Sequence, residues 1–228
     1  MVRPGMARNY RPRRGRENIT PVKVLELFAG SRSIGKAAEA MGAEVFSSDI
    51  TDFGGIDYVC DILEFDKNKL PWQPDVIWAS PPCTGFSVAA IGHHWTGGKG
   101  AYIPNTDTAR LGIQLLEKTL DIIEELKPKI WFIENPRGLM RKMPQLQDKP
   151  RRTVTYCQYG DTRMKPTDIW TNLKEWNPRP VCKNGSPCHE AAPRGSRTGT
   201  QGLKNNYERS KIPPALCEEV LYSAYLHI

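Results

Sequence analysis

The stretch KVLELFAGSRSIGKAAEAMGAEVFSSDI, from Lys23 to Ile50, decides the fold. It begins with a short apolar run that ends in glycine at Gly30, a pattern typical of a buried strand. SIGKAAEA then predicts a helix that stops at Gly42, and EVFSSDI predicts a second strand with an acid, Asp49, at its end. A strand, a helix and a strand in succession indicate a parallel sheet covered by helices.

The same alternation continues along the chain. Apolar runs predict further strands in DVIWAS, in KIWFIEN and in a late pair, TVTYCQY and DIWTN. The clearest helix is DTARLGIQLLEKTLDIIEELKPK, in which Asp107 is the predicted cap and apolar residues recur at three- and four-residue steps. Prolines open a C-terminal helix, PPALCEEVLYSAYL. We therefore expect an α/β fold, a mostly parallel sheet with helices on both faces.

Composition narrows the class of protein. The chain has 228 residues, of which 39% are hydrophobic, and this fits one globular domain. No apolar run approaches the roughly 18 residues that span a bilayer, so we expect no membrane partner. Six scattered cysteines do not form a disulfide scaffold, and they favour a reducing compartment, cytoplasmic or nucleoid-associated. The net charge of +7 suggests a polyanionic partner.

Two segments depart from the globular pattern. Residues 1–20 carry six arginines and several prolines and glycines, and they predict a disordered basic arm that either lies along phosphates or serves as a solubilising tail. Residues 21–228 form the predicted domain. Within it, residues 174–211 are rich in Pro, Gly, Asn and basic residues without apolar periodicity, and they predict a short irregular insert that contacts nucleic acid.

Four chemically suggestive residues, Gly30, Asp49, Cys83 and Glu134, fall at the carboxyl ends of predicted strands. Ligands of such sheets bind at that edge, so one site is expected there. The turn at Gly30 lacks the full glycine fingerprint of dinucleotide sites, while Asp49 is placed to hold a ribose. Asp61 is expected to bond an adenine amino group. These features favour a nucleoside ligand without a pyrophosphate.

Cys83 and Glu134 each allow two interpretations. Cys83 follows two prolines in SPPCTGFS, and it is either a small buried hydrophobe or a nucleophilic thiolate on a stiff loop. Glu134 follows the apolar run IWFI. Desolvation there would favour its protonated form and general-acid work, whereas the alternative is a cap for a helix beginning at Pro136.

Taken together, the motifs resemble those of the cytosine-C5 DNA methyltransferases. LELFAG resembles that family's first S-adenosylmethionine motif, SPPCTGFS its nucleophile loop, ENP its Glu-Asn-Val motif, YGDTRMKPTDIW its Gln-x-Arg-x-Arg motif and SKIPPALCEEVL its final motif. The resemblance spans about residues 22–226. Three features depart from the family: Asp161 stands in place of the Gln, the Gly-Asn before the final motif is missing, and the short insert replaces a sizeable target-recognition domain.

The resemblance implies a Rossmann-like S-adenosylmethionine-dependent methyltransferase fold and assigns site residues. The catalytic residues would be Cys83, Glu134 and Arg163. The substrate contacts would be Pro82, Asn135 and Lys165. The cofactor contacts would be Phe28, Ala29, Gly30, Ser31, Asp49, Ile50, Asp61, Ile62 and Pro81.

The implied reaction explains these residue types. Cys83 would add to C6 of a cytosine flipped out of double-stranded DNA, so that C5 becomes nucleophilic enough to take a methyl group. Glu134 would protonate N3, and Arg163 would hold O2. Because the target-recognition region is short, a second copy or a partner protein is a candidate for recognising the sequence around the base.

Three other functions stay open at this point. An amino-group methyltransferase also places two prolines at this strand end, but it follows them with an aromatic residue and needs no thiol. An RNA cytosine methyltransferase of the best-known class uses two cysteines, one of them where this chain has ENP. A non-catalytic nucleic-acid-binding module would fit the departures in the later motifs.

Two further stretches carry weaker expectations. CKNGSPCH, residues 182–189, suggests zinc, but its spacing is not a strong pattern and a fourth ligand would have to come from Cys157 or Cys217, so we assign no metal. AAIGHHWTGGKGAYIPN, residues 89–105, predicts a mobile glycine-rich loop. It either closes over the flipped base, with Trp95 or Tyr102 touching DNA, or remains solvated.

Overall fold

A mixed seven-stranded sheet organises the protein. The computed structural model describes residues 20–98, 101–191 and 205–228, so the predicted basic arm up to residue 19 and residues 192–204 of the predicted insert lie outside it. The strands are β1 Lys23–Leu27, β2 Glu44–Asp49, β3 Tyr58–Val59, β4 Val76–Ala79, β5 Trp95–Gly98, β6 Ala101–Pro104, β7 Ile130–Pro136, β8 Arg151–Thr155 and β9 Pro166–Thr171. The helices are α1 Ser33–Ala40, α2 Ile91–His94, α3 Asp107–Leu126, α4 Asn206–Ser210 and α5 Pro214–Tyr225.

The order of strands across the sheet is β3-β2-β1-β4-β7-β9-β8. The pairs from β3 to β7 are parallel, and the last two pairs, β7 with β9 and β9 with β8, are antiparallel. The predicted α/β fold with a mostly parallel sheet is confirmed. The carboxyl ends of β1, β2, β4 and β7 therefore share one edge, which is where ligands of such sheets bind.

The sheet separates two hydrophobic clusters because alternate side chains along a strand point to opposite faces. Trp78 and Phe132 pack on one side with α1 and α5. Ile77 and Ile133, their neighbours along β4 and β7, pack on the other side with α3. Leu116 of α3 is fully buried there. Both faces are thus covered, as the near-continuous apolar strands predict.

The cap of α3 differs from the prediction by one residue. Thr106 has extended backbone angles, and its hydroxyl accepts a hydrogen bond from the amide of Ala109 at 3.3 Å. Asp107 already belongs to the first turn, where its charge faces the positive end of the helix dipole. Both residue types cap helices well, so local sequence did not separate them.

Residues Glu134 and Asn135 lie inside β7 rather than on a turn after it. The antiparallel partner β9 extends β7 beyond β4, and Glu134 pairs with Ile169 while Asn135 pairs with Asp168. In this part of the described chain no helix begins at Pro136, and a 3₁₀ helix begins only at Leu139. The interpretation of Glu134 as a helix cap is therefore wrong.

The glycine-rich stretch after the nucleophile loop forms an antiparallel hairpin from β5 and β6. Trp95 is 4% exposed, its ring packs 5.7 Å from that of Phe86, and its indole N–H donates to the carbonyl of Gly85. The expectation that Trp95 touches DNA is wrong, because the indole is buried against the loop that precedes it. Among the described residues, no helix is both long and apolar enough to span a bilayer.

Candidate active site

The turn after β1 is held by the carboxylate of the neighbouring strand. β1 ends at Leu27, and the chain then adopts positive φ angles at Phe28, Gly30 and Arg32. The amide of Gly30 donates to Oδ2 of Asp49 at 2.9 Å, and the amide of Thr51 donates to Oδ1 at 3.0 Å. Asp49 therefore fixes the backbone that a ligand would approach.

A buried carboxyl supports the same turn from below. Glu26 is 2% exposed and accepts hydrogen bonds from the amides of Ile34 and Gly35, at 3.1 and 2.9 Å. Burial raises the pKa of Glu26 to about 7, although these hydrogen bonds favour the charged form. Arg32 occupies the N-cap position of α1, but its side chain makes no capping hydrogen bond. Glu26 caps the helix instead. Sequence reasoning missed Glu26, whose signal is one acid inside the apolar run KVLEL.

The other predicted cofactor residues lie along the same edge. Ile50 is 67% exposed beside Asp49, an unusual position for an isoleucine and a suitable surface for an aromatic ring. The amide of Cys60 donates to the Asp49 carbonyl at 3.0 Å, which brings the exposed Asp61 and the buried Ile62 to this edge. Oδ1 of Asp61 accepts from the amide of Leu63 at 3.0 Å. Ala29, Ser31 and Pro81 are buried.

A cavity of about 680 Å³ opens to one side of this edge, between α1, the 159–163 turn and the start of α5. Ser31 and Arg163 line it, but Asp49, Asp61, Cys83 and Glu134 do not. The grouping of the predicted residues at the strand ends, rather than this cavity, defines the candidate site.

The nucleophile loop is clamped at both ends. Nδ2 of Asn135 donates to the carbonyl of Pro81 at 2.7 Å, and the amide of Phe86 donates to the carbonyl of Cys83 at 2.9 Å. A Cβ at Gly138 would lie 2.3 Å from the Phe86 carbonyl oxygen, so the loop is also packed tightly. Cys83 itself is half-buried on this rigid support.

Asn135 was predicted to contact the substrate, and the structure gives it another role. Its side chain is fully buried, and its amide holds the Pro81 carbonyl. Oδ1 of Asn135 is buried and has no hydrogen-bond partner among the residues that the structure describes. Asn135 is thus a positioning residue for the loop that carries Cys83. Pro82, the other predicted contact on this loop, is exposed.

Glu134 lies opposite the loop in a desolvated position. It is 6% exposed, and Oε1 accepts a hydrogen bond from the hydroxyl of Tyr156 at 3.2 Å. Burial raises the pKa of Glu134, while Lys165 and hydrogen bonds from Ser80 and Tyr156 lower it. Burial likewise raises the pKa of the Cys83 thiol, the charge of Glu134 raises it further, and Lys165 lowers it. The charge of Glu134 therefore acts on the Cys83 thiol.

Lys165 is a cation whose charge acts on both Cys83 and Glu134. The ammonium of Lys165 lies 4.6 Å from the centre of the Tyr156 ring and donates to the carbonyl of Arg209 at 2.9 Å. Burial lowers the pKa of Lys165, and the charges of Glu134 and Cys83 raise it.

Arg163 is occupied within its own turn. Its Nε donates to both carboxylate oxygens of Asp161, at 2.9 and 3.1 Å. This ion pair keeps the pKa of Asp161 below its usual value despite partial burial. Asp161 stands where the resembling motif has an uncharged Gln, so the substitution itself explains the orientation of Arg163. A further guanidinium nitrogen donates to the carbonyl of Arg209 at 3.4 Å, so the described hydrogen bonds of Arg163 go to Asp161 and Arg209.

Comparisons with known proteins agree with this architecture. The Entamoeba histolytica methyltransferase EhMeth matches with a TM-score of 0.51 and 15% identity, over 72% of this chain and 58% of that chain. The fold is thus one that a methyltransferase adopts. The family model for C-5 cytosine-specific DNA methylases matches residues 22–148. The chain belongs to that family.

Curated relatives support the same family. The "Probable DNA (cytosine-5)-methyltransferase" of Frog virus 3 (isolate Goorha) is 32% identical, and the match covers 88% of this chain and 99% of that protein. The Type II methyltransferase M.CviJI of Paramecium bursaria Chlorella virus IL3A is 30% identical over 51% of this chain. The Type II methyltransferase M.HpaII of Haemophilus parainfluenzae is 29% identical over 50%. The matches span 31% of each Type II enzyme.

Proposed function

We propose that this protein transfers a methyl group from S-adenosylmethionine to C5 of cytosine in double-stranded DNA. The observation that carries the proposal is the grouping of Cys83, Glu134 and Lys165, whose charges shift one another's pKa values at the edge beside the Asp49 turn. A thiol, a carboxyl and a cation whose charges act on one another suit addition to a pyrimidine ring better than transfer to an amino nitrogen, which needs no thiol.

The cofactor would bind along the strand ends. Asp49 would take the ribose hydroxyls, the exposed face of Ile50 would pack on the adenine ring, and Asp61 would bond its amino group. The backbone of residues 28–31, whose turn is fixed by positive φ angles, would contact the amino-acid end of the cofactor. Bound S-adenosylmethionine supplies an electrophilic methyl group on a sulfonium.

The protein's own groups would then activate the base. The Cys83 thiolate bonds to C6, the protonated Glu134 donates its proton to N3, and C5 gains electron density to take the methyl group. We assign the contact with O2 to Lys165, because Arg163 is paired with Asp161. S-adenosylhomocysteine would leave as C5 takes the methyl group. Loss of the C5 proton, to water or another base, would then break the Cys83–C6 bond and restore the thiolate, and N3 would return its proton to Glu134.

DNA binding would draw on the basic parts of the chain. The target carbon lies inside a stacked duplex, so the nucleotide must flip out, at about a few kcal/mol. The basic arm, which lies outside the described residues, and the 174–211 insert would hold the phosphates. The described chain between β9 and α5 holds only a short segment for base recognition, so a second copy or a partner protein would extend the readout. The site of action would be the cytoplasm or the nucleoid.

A duplex containing 5-fluorocytosine tests the proposal directly. Fluorine at C5 cannot leave as a proton does, so an active enzyme should form a covalent adduct that depends on S-adenosylmethionine and survives denaturing electrophoresis. Cys83→Ala should form none while still binding the cofactor. Cys60→Ser is the matched control, because Cys60 is half-buried elsewhere on the same edge and should keep the adduct.

Three results would contradict the proposal. The first is near-full turnover by Cys83→Ala, and the second is a methyl group on an amino nitrogen of the base. The third is specific DNA binding by the wild-type protein with neither adduct nor methylation, which would make it a non-catalytic binding module. A preference for an RNA hairpin over the DNA duplex would retain the chemistry and change the substrate.

A further inference from the structure

Four metal-binding side chains meet outside the methyl-transfer site. The Sγ atoms of Cys157, Cys182 and Cys188 and a ring nitrogen of His189 all lie within 4.8 Å of one another. Cys157 Sγ is 3.2 Å from that of Cys182 and 3.6 Å from that of Cys188. His189 Nδ1 is 3.6 Å from both Cys182 and Cys188. The mechanism proposed above uses none of these groups.

These separations fit ligands arranged around one ion. Bonds of about 2.3 Å to sulfur and 2.0–2.1 Å to nitrogen at tetrahedral angles place two sulfurs about 3.8 Å apart and a sulfur and nitrogen about 3.5 Å apart. A disulfide needs sulfurs about 2.05 Å apart, which none of these pairs approaches. We propose that Cys157, Cys182, Cys188 and His189 bind one zinc ion in a structural site.

The ligand set is closed and locally supported. Four protein ligands leave no open position for water or substrate, which is typical of structural rather than catalytic zinc. Nε2 of Gln158 lies 3.5 Å from Sγ of Cys188, as expected of a group that donates to a coordinated thiolate. Cys217, the other candidate for the distant ligand, is buried in α5 with its thiol directed to the carbonyl of Ile212.

The segment that carries three of the ligands has little else to hold it. None of residues 181–191 is buried, and none lies in a helix or strand. Its amides bond to the rest of the described chain at two places: the amide of Cys182 donates to the Thr155 hydroxyl at 3.0 Å, and that of Glu190 donates to the Thr162 carbonyl at 2.9 Å. Apolar burial supplies almost no free energy here, so metal coordination would supply it.

The position of Cys157 gives the ion a role in the molecule. Cys157 belongs to the 3₁₀ helix Tyr156–Tyr159, whose first residue donates to Glu134. The other three ligands belong to the predicted insert. The ion therefore fastens the insert to the same turn that positions the carboxyl of the active site.

Metal analysis of the untagged protein, purified without chelators, tests the proposal. We expect inductively coupled plasma mass spectrometry to find about one zinc ion per chain. Cys182→Ser and Cys188→Ser should each lower the zinc content to a small fraction of the wild-type value, and Cys60→Ser should retain it. Cobalt exchanged into the wild-type protein should show the strong visible bands of a tetrahedral thiolate site, and these should disappear in Cys188→Ser.

Two further measurements keep the result independent of folding defects and of methyl transfer. Removing the metal from the wild-type protein with a chelator should open residues 174–191 to protease at least tenfold faster, and added zinc should restore protection. Isolation without metal, followed by failure of the reduced protein to take up zinc or cobalt, overturns the proposal. So does a disulfide between Cys157 and Cys182 in freshly purified protein. Neither outcome bears on the adduct at Cys83.

Discussion

The hydroxyl of Tyr156 donates to Oε1 of Glu134 across 3.2 Å, joining the turn after β8 to the centre of β7. Tyr156 is fully buried, and burial raises its pKa well above the usual value, so it remains a neutral donor throughout the working range. The hydrogen bond stabilises the ionised carboxyl and so opposes the effect of burial on Glu134.

Replacing Tyr156 with Phe removes that donor and keeps the ring under Lys165. We expect the pKa of Glu134 to rise, so the acid limb of the pH–rate profile should move to higher pH. Stability should fall by about 1 kcal/mol. Tyr159→Phe is the control, because its hydroxyl bonds Glu219 instead, and its profile should match the wild type. If the acid limb of Tyr156→Phe matched that of the wild type, Tyr156 would have no effect on the ionisation that limits the reaction.

The pH profile of the wild-type enzyme should be bell-shaped. In the proposed mechanism the active form carries a Cys83 thiolate and a protonated Glu134, which together hold the same number of protons as a thiol with a carboxylate. The fraction of enzyme in this form is therefore constant at pH values between the two pKa values and decreases at lower and higher pH. Both limbs should lie above the ordinary values of 4.5 and 9.0, because burial raises both pKa values.

Glu134→Gln should change the shape of this profile as well as its height. Without the titrating carboxyl, only the thiolate limits the rate, so a much slower kcat should rise continuously with pH until Cys83 is ionised. The measurement is single-turnover methylation across the pH range at saturating cofactor. A plateau that persists in Glu134→Gln would assign the acid limb to another group.

Lys165 and Arg163 should respond differently to neutral replacement. Lys165→Met removes a cation whose charge acts on Glu134 and Cys83, so kcat should fall by about 10²-fold and both pKa values should rise. Lys165→Arg should recover much of the rate. Arg163→Gln breaks the pair with Asp161 and should lower stability more than kcat. A larger loss of kcat in Arg163→Gln than in Lys165→Met would reverse the assignment.

Gly138 has no room for a side chain beside the nucleophile loop. Its Cβ would lie 2.3 Å from the Phe86 carbonyl oxygen, so Gly138→Ala must displace the loop that follows Cys83. We expect a loss of about 1–3 kcal/mol in stability and a drop in kcat with little change in cofactor affinity. Gly92→Ala, where a Cβ meets nothing within 4 Å, should leave both unchanged. Equal behaviour of the two variants would refute the packing argument.

Local patterns in the sequence predicted the fold well. Six strands, α1 and α3 follow from apolar periodicity and glycine stops, whereas β3 and the pair β5 and β6 were not predicted. The bond between Gly30 and Asp49 follows from two parallel strands that end at one edge. The cap at Thr106 was missed by one residue, because an adjacent Asp competes for the same position.

The remaining features depend on contacts between distant parts of the chain. Tyr156 reaches Glu134 through the antiparallel pairing of β8, β9 and β7, which no local window contains. The orientation of Arg163 depends on its pairing with Asp161. The sequence indicated residues 182–189 as a possible zinc stretch but left the fourth ligand open between Cys157 and Cys217, because Cys157 lies 25 residues before Cys182 along the chain.

The contact between Lys165 and the carbonyl of Arg209 has a consequence for substrate choice. On the role proposed for Lys165, an incoming base competes with the chain's own backbone for one ammonium group. A base that fits the site poorly would fail to displace the Arg209 carbonyl of α4 from Lys165, whereas a cytosine that fits the whole site would displace it. Discrimination would then begin with an exchange of hydrogen-bond partners, before any bond to sulfur forms.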